Sequence, residues 1–293
     1  MNKPKLIFVD LALIAITMIW GSTYVVVKGN LNGVNSVTLL CYQSLIAVLI
    51  LSALLLFLKK NPWRNFTQGM LLGIMQSLFF LGEAACLYFT QATNAAFITG
   101  LFTIFIPIYN FFFLKTKPSL NLIIAIIFSL IGLWFITGGA KGINLGDLLV
   151  LGSTMIGSMR IFVAHHFLNK KAHPLVLNFQ QLFTLFIISA SVVMILHLPL
   201  SIRTSSAVYA LLYLGVFATF GCYVVQNIAL TVTSPTRVSM FNILVPVFGA
   251  LLAWTVGGEV FSWHKLIGGC FIILAMLFVK TRFFMVIFSR RAG

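Results

Sequence analysis

The 293-residue sequence predicts an all-α integral membrane protein: ten transmembrane helices arranged as two inverted five-helix repeats, with the N and C termini cytoplasmic. Three observations predict this fold class. Apolar residues make up 60% of the chain and charged residues 8%, against about a quarter charged in water-soluble domains. The apolar residues gather into runs of roughly 18 to 22, enough to cross a hydrocarbon core of about 30 Å as helices. The chain is also written twice. A shift of 137 positions lays Asp10 on Asp147, Thr17-Met18-Ile19 on Thr154-Met155-Ile156 and Gln43 on Gln180, and a further two-residue slip lays Pro107 on Pro246. Five is odd, so two copies of a five-span unit cross the membrane in opposite directions, a frame common among alternating-access carriers.

The spans are expected near 7–27, 36–58, 67–88, 94–114, 121–138, 147–167, 175–197, 207–230, 236–256 and 264–282. They divide the chain into a first repeat over 7–138, a second over 146–282 and a basic cytoplasmic tail over 283–293. The first span runs on through Trp20 and Tyr24 with no small-x-small cleavage site, which argues against a removable signal peptide. The second closes on Lys59-Lys60, with Pro62 and Trp63 at the interface. The third carries Gly69-xxx-Gly73, a spacing that lets helices approach closely. A short uncharged turn, Thr90 to Asn94, leads into the fourth, which contains Pro107; the fifth is uniformly apolar. The sixth contains Arg160, the seventh Gln180, and the eighth Tyr223 and Gln226. Ser234-Pro235 opens the ninth as an N-cap followed by a first-turn proline, and Pro246 sits within it. The tenth leads into Phe283-Phe284 and Arg290-Arg291, an interfacial anchor.

The net charge of +15 is a topology signal, not a nucleic-acid footprint. With the N-terminus inside, fourteen Lys and Arg residues fall on the cytoplasmic side and four, Lys28, Lys141, Arg203 and Lys265, fall outside. Arg160 lies within a span. Cys41, Cys86, Cys222 and Cys270 all fall in apolar spans without metal-ligand spacing, and read as small packing residues. Neighbouring His165 and His166 point about 100° apart on a helix and do not converge on one ion. No zinc-protease, nucleophile-elbow or phosphate-loop motif is present. The expectation is therefore no enzyme, no catalytic residues, no cofactor and no metal.

Four acids exist, and Asp10, Asp147 and Glu259 are expected near span ends in reach of water. Glu83 is well inside the third span, where a charge costs about 2.5–3.5 kcal/mol on insertion scales. It is the first candidate for substrate contact or proton exchange, set against a neutral, hydrogen-bonded packing residue. Arg160 is the second intramembrane charge. Span positions put the two backbones at depths roughly 14 Å apart at about 1.5 Å per residue, which argues against a simple pair and leaves Arg160 either facing a polar cavity or snorkelling. Trp20, Tyr24, Thr99, Thr103, Tyr223, Gln226 and Asn242 complete the candidate substrate-binding set, each weighed against ordinary helix packing. Pro107 and Pro246 are candidate hinges, because each frees the carbonyl four residues back, at Thr103 and Asn242. Gln43 and Gln180, present in both copies, are expected to be structural.

Several motifs carry a resemblance. Trp20-Gly21-Ser22, the run Thr93 to Leu101 followed by Pro107, and Ser234-Pro235-Thr236-Arg237 with Pro246, Gly258-Glu259 and Gly268 together resemble the drug/metabolite transporter superfamily, of EamA type, over nearly the whole chain. Two positions depart from the pattern: Leu114 to Ser119 replaces a frequent Gly-Glu pair, and Glu83 stands where similar sequences commonly have Gln. The resemblance implies a central cavity lined by helices 1, 3, 4, 6, 8 and 9. It also implies a secondary carrier in the inner membrane that moves a small metabolite, an amino acid or an amphiphilic amine, outward. Importer, exchanger and non-transporting scaffold are the alternatives. Protons are the candidate coupling ion, the lipid bilayer is the surrounding partner, nucleic acid is excluded, and the chain is a monomer or homodimer.

Overall fold

The computed structural model describes residues 3–114, 120–139 and 142–289. Lys115, Lys117, Pro118, Lys141, Arg290 and Arg291 of the sequence reading lie outside the described residues. Those described form thirteen α-helices and one π-helical segment. In chain order the helices are α1 (Lys3–Gly29), α2 (Ser36–Phe57), α3 (Phe66–Cys86), α4 (Ala92–Thr99), α5 (Phe102–Leu114), α6 (Leu120–Thr137) and α7 (Leu145–Asn169). After them come α8 (Pro174–Ile195), α9 (Ser205–Tyr213), the π segment (Leu214–Gly221), α10 (Cys222–Val232), α11 (Pro235–Phe241), α12 (Leu244–Thr255) and α13 (Trp263–Ser289). Seven stretches are long and apolar enough to cross a membrane, and Ile123–Thr137, Leu244–Thr255 and Trp263–Phe278 form shorter apolar helices. α13 continues through Ser289, past the expected span end at Arg282.

The helices begin where local chemistry satisfies their free N–H groups. The Asn35 side chain accepts from Val37 and Thr38 at the start of α2. Asn144 and Asp147 form a reciprocal capping box at the start of α7. The Ser234 hydroxyl accepts from Arg237 N ahead of Pro235. Once capped, the helices pack α1 on α12, α4 on α12, α3 on α7 and α8, α2 on α8 and the π segment, and α6 on α13. Exchanging first-copy helices for their second-copy counterparts leaves α2–α8 and α6–α13 unchanged and maps each of the others onto another contact in the fold. α1–α12 maps onto α7–α5, α4–α12 onto α11–α5 and α3–α8 onto α2–π.

Close approach explains the small residues. A Cβ on Gly21 of α1 would stand 2.9 Å from both Gly249 N and Val245 O of α12, so only hydrogen fits. Gly69 and Gly73 of α3 face Gln180 and Thr184 of α8 in the same way, which is what their four-residue spacing is for. Cys41, Cys86 and Cys222 are buried, whereas Cys270 is exposed on the outer face of α13.

The two proline-containing spans are both broken. In the second copy the break falls at Asn242-Ile243, where Val245 N meets the Asn242 carbonyl that Pro246 leaves free. In the first copy the break is at Gly100-Leu101, not at Thr103, and Pro107 lies inside continuous α5. Packing accounts for the displacement. A Cβ on Gly100 would lie 3.1 Å from Pro246 Cγ, so a residue without a side chain turns the chain where the two broken spans cross.

Candidate functional site

A cavity of about 80 Å³ sits where α1, α3, α4, α5, α7, α10 and α12 converge. Its polar lining is Trp20, Thr23, Tyr24, Glu83, Thr99, Arg160, Tyr223, Gln226 and Asn242, and Phe79, Phe80 and Phe102 supply aromatic wall. A second cavity of about 70 Å³ adjoins it and shares Trp20, Thr23, Tyr24, Phe80 and Glu83. That one reaches toward the end of the molecule where α1 ends and α2 begins, bounded by Val27, Ser36, Leu87 and Leu214. One water fills about 10–15 Å³ on this scale. The central cavity thus has room for several waters or a small ligand.

The backbone breaks place these groups. Thr99 ends α4 immediately before its break, and its hydroxyl donates to Glu83 Oε1 at 3.0 Å. Asn242 stands at the break between α11 and α12, with its side-chain oxygen buried and without a partner among the described residues. The π segment presents the Ala218 carbonyl to the Trp20 indole N–H at 3.2 Å, fixing the ring. π-Helical segments recur at functional sites. The Trp20 ring then meets Tyr223 edge-on, with centroids 5.4 Å apart.

Arg160 is only 2% exposed. Its guanidinium donates from Nη1 to Gln181 Oε1 at 3.0 Å and from Nη2 to Gln226 Oε1 at 2.6 Å, and stacks 5.0 Å from the Tyr223 ring centroid. It does not snorkel, because two glutamines and an aromatic face hold it in place. The sole ion pair among the described residues is Asp10–Arg237, so neither Arg160 nor Glu83 has a charged partner among them. They nevertheless line one cavity. No pair forms between them, in keeping with their difference in span depth, and Arg160 takes the cavity-facing alternative. Thr103 is buried outside this lining.

Several contributors escaped the sequence reading. Gln181 holds the guanidinium. Outside the cavity lining, Gln76, which the sequence places on the Glu83 face, and Asn178 and Asn227 carry buried amide atoms without partners among the described residues, the kind of group that ordered water satisfies. Thr23 also faces both cavities. Their signal, polar residues within apolar spans, was present but shared with many packing residues. The acids at the span ends do more than meet water. Asp10 takes a bidentate grip from Arg237, with Nε–Oδ1 3.0 Å and Nη2–Oδ2 2.6 Å. Asp147 is buried, correcting its expected exposure, and accepts from the Thr90 hydroxyl at 2.6 Å. Glu259 accepts from Ala92 N, Thr93 N and the Thr93 hydroxyl, capping α4 from the α12–α13 loop. Lys28 donates to the Thr90 carbonyl and Lys265 to the Gln91 side chain beside it.

An intramembrane cavity with buried, unpaired charges between broken helices defines a solute carrier. The chain belongs to the EamA-like transporter family, which matches residues 7–138 and again 144–281. It is a multi-pass membrane transporter acting on a small-molecule substrate, and not an enzyme; family membership replaces the scaffold alternative. Two relatives from Archaeoglobus fulgidus, both described as uncharacterized transporters, are similar along their length. One is 29% identical, covering 95% of this chain and 87% of the relative. The other is 24% identical, covering 92% and 96%. A solved crystal structure, titled only as that of a protein, shares the fold with a TM-score of 0.70 at 16% identity, covering 97% of this chain and 98% of that one.

Proposed function

We propose that this protein is a secondary transporter that exports a small zwitterionic or amphiphilic metabolite, an amino acid foremost, across the inner membrane by alternating access. The observation that carries this reading is one aromatic cavity lined by both Arg160 and Glu83, neither with a charged partner among the described residues. A buried guanidinium without a counter-charge is costly. A substrate carboxylate would meet its remaining N–H donors, while an ammonium would meet Glu83. Trp20, Tyr223 and Phe80 would enclose the apolar body, and a cation would also gain from the aromatic faces.

The frame for this cycle is ten spans in two inverted halves, with both termini cytoplasmic. The doubled sequence, the excess of basic residues on one side and the exchangeable helix contacts support it. The breaks at Gly100 and Asn242 would act as hinges, with Pro246 held against the first. Direction follows the gradients imposed on the carrier, and Glu83 is the candidate proton carrier. Chain association, as monomer or homodimer, does not enter this mechanism.

Counterflow in proteoliposomes loaded with unlabelled amino acids and amines tests the reading. A zwitterionic amino acid should drive uptake of its labelled form, and the matching amide and N-acetyl derivatives should fail. Equal counterflow with all three would remove the two-charge recognition, and no flux with any of these solutes would remove the substrate class.

A further inference from the structure

A further pocket lies away from both cavities, at the end of the molecule where α1 begins. It has a volume of about 460 Å³ and is enclosed by the α2–α3 loop and the α7–α8 loop. Lys59, Lys60, Arg64, Lys170 and Lys171 line it with His173, Asn61, Asn65 and Gln68, and none of the chain's four acids does. Five of the nineteen Lys and Arg residues therefore share one concavity without a counter-charge. A topology signal requires basic residues on one side; it does not require them to converge from two loops belonging to different halves of the chain.

The pocket is also built. The Gln180 amide nitrogen of α8 donates at 2.8 Å to both the Pro62 and Arg64 carbonyls, pinning the α2–α3 loop to the opposite wall. The close seat of Gln180 on Gly69 fixes that amide in turn. Burial, and secondarily Lys60, hold the His173 imidazole below its usual pKa, so it is neutral at pH 7 and leaves the basic charge of the pocket to the lysines and Arg64.

Depth and surroundings identify the ligand. Trp63 is half-exposed beside the pocket and packs against Phe66, Phe179 and Phe183, an aromatic cluster of the kind that sits at headgroup level. Leu56 and Phe57 are exposed at the end of α2, and Leu49 lies one heptad back on the face of Leu56, an apolar track leading from the pocket into the bilayer. Basic pockets between helices at the cytoplasmic interface suit anionic headgroups. We infer that this pocket binds the phosphodiester headgroup of an anionic phospholipid, with its acyl chains along the exposed face of α2. A free phosphate compound would use the same cations but would make no use of the apolar track.

Native mass spectrometry of the full-length protein in detergent, titrated with phosphatidylglycerol, with phosphatidylcholine of the same acyl chains and with inorganic pyrophosphate, tests this. Each basic side chain near an anionic headgroup contributes roughly fivefold. The Lys60→Gln/Arg64→Gln and Lys170→Gln/Lys171→Gln variants should each weaken phosphatidylglycerol binding about 25-fold and leave phosphatidylcholine binding unchanged. A Lys60→Arg variant should retain wild-type affinity, and unaltered melting in phosphatidylcholine separates lost binding from misfolding. Equal binding of the two lipids by the wild type, or an undiminished preference in both double variants, would overturn the site. Pyrophosphate binding as tightly as phosphatidylglycerol, with the same dependence on the variants, would overturn its assignment to lipid.

Discussion

At the scale of single residues, the cavity is governed by two charges held in different ways. Arg160 is braced by two amide oxygens and an aromatic face, so it stays in place when no substrate is bound. Glu83 has the Thr99 hydroxyl at the end of a broken helix, so its position follows that break. Removing one member of a buried, hydrogen-bonded charge pair costs about 2–5 kcal/mol. Arg160→Gln should therefore weaken binding of a carboxylate substrate about 30-fold or more, and should spare an amine that lacks a carboxylate. Glu83→Gln keeps the acceptor for Thr99 and should weaken ammonium-bearing substrates selectively. Binding isotherms of a zwitterion and its two singly charged analogues check both, and identical losses for all three ligands would show that the two residues only hold the fold. Both charges were legible in the sequence because a charge inside an apolar span stands out. Gln181 and Thr23 were not, because an uncharged polar residue in a span is equally at home in packing, and only the folded contacts separate the two cases.

At the scale of elements, short polar ties hold the span ends at opposite ends of the molecule. Asp10 at the start of α1 grips Arg237 at the start of α11. At the other end, Glu259 caps α4, while Asp147 and Lys28 engage Thr90. The three carboxylate ties each join segments from different halves of the chain, whereas Lys28 and Thr90 belong to the same half, and a rocking carrier would have to break the three in turn. The Asp10–Arg237 pair is partly exposed, and such pairs contribute about 0.2–1 kcal/mol. Asp10→Asn should then raise the accessibility of a Thr99→Cys reporter to an impermeant thiol reagent from the Asp10 side by up to about fivefold. Glu259→Gln weakens a helix cap, a loss of about 0.5–2 kcal/mol, and should raise accessibility from the opposite side. The exposed Cys270 must first be replaced. Labelling rates that move together from the same side would refute opposed gates. The Gly21 contact allows a separate check on stability: Gly21→Val drives a side chain into α12 and should destabilise the protein by about 1–3 kcal/mol, read as a lower melting temperature. The sequence placed both proline spans but mislocated one break, because proline chemistry is local whereas the turn at Gly100 depends on Pro246 arriving from the other copy.

At the scale of the whole molecule, the doubled sequence and the charge asymmetry make one joint claim about orientation. If the copies are inverted, equivalent loops must face opposite sides. The α2–α3 loop carries Lys59, Lys60 and Arg64, whereas its second-copy counterpart, between α8 and α9, carries only Arg203. The contrast follows directly from inversion, since lysine and arginine are retained on the cytoplasmic side and lost from the other. Helix packing alone gives no such bias, because the two loops occupy equivalent places relative to their helices. Single cysteines at Lys60 and at Arg203, in a chain otherwise free of cysteine, turn this into a measurement on intact spheroplasts. Arg203→Cys should react at once with an impermeant maleimide, and Lys60→Cys only after the membrane is made permeable. Reaction of both from the same side would require an even number of spans between the two positions. That would break the five-span unit on which the inverted frame, and with it the alternating-access reading of the cavity, depends.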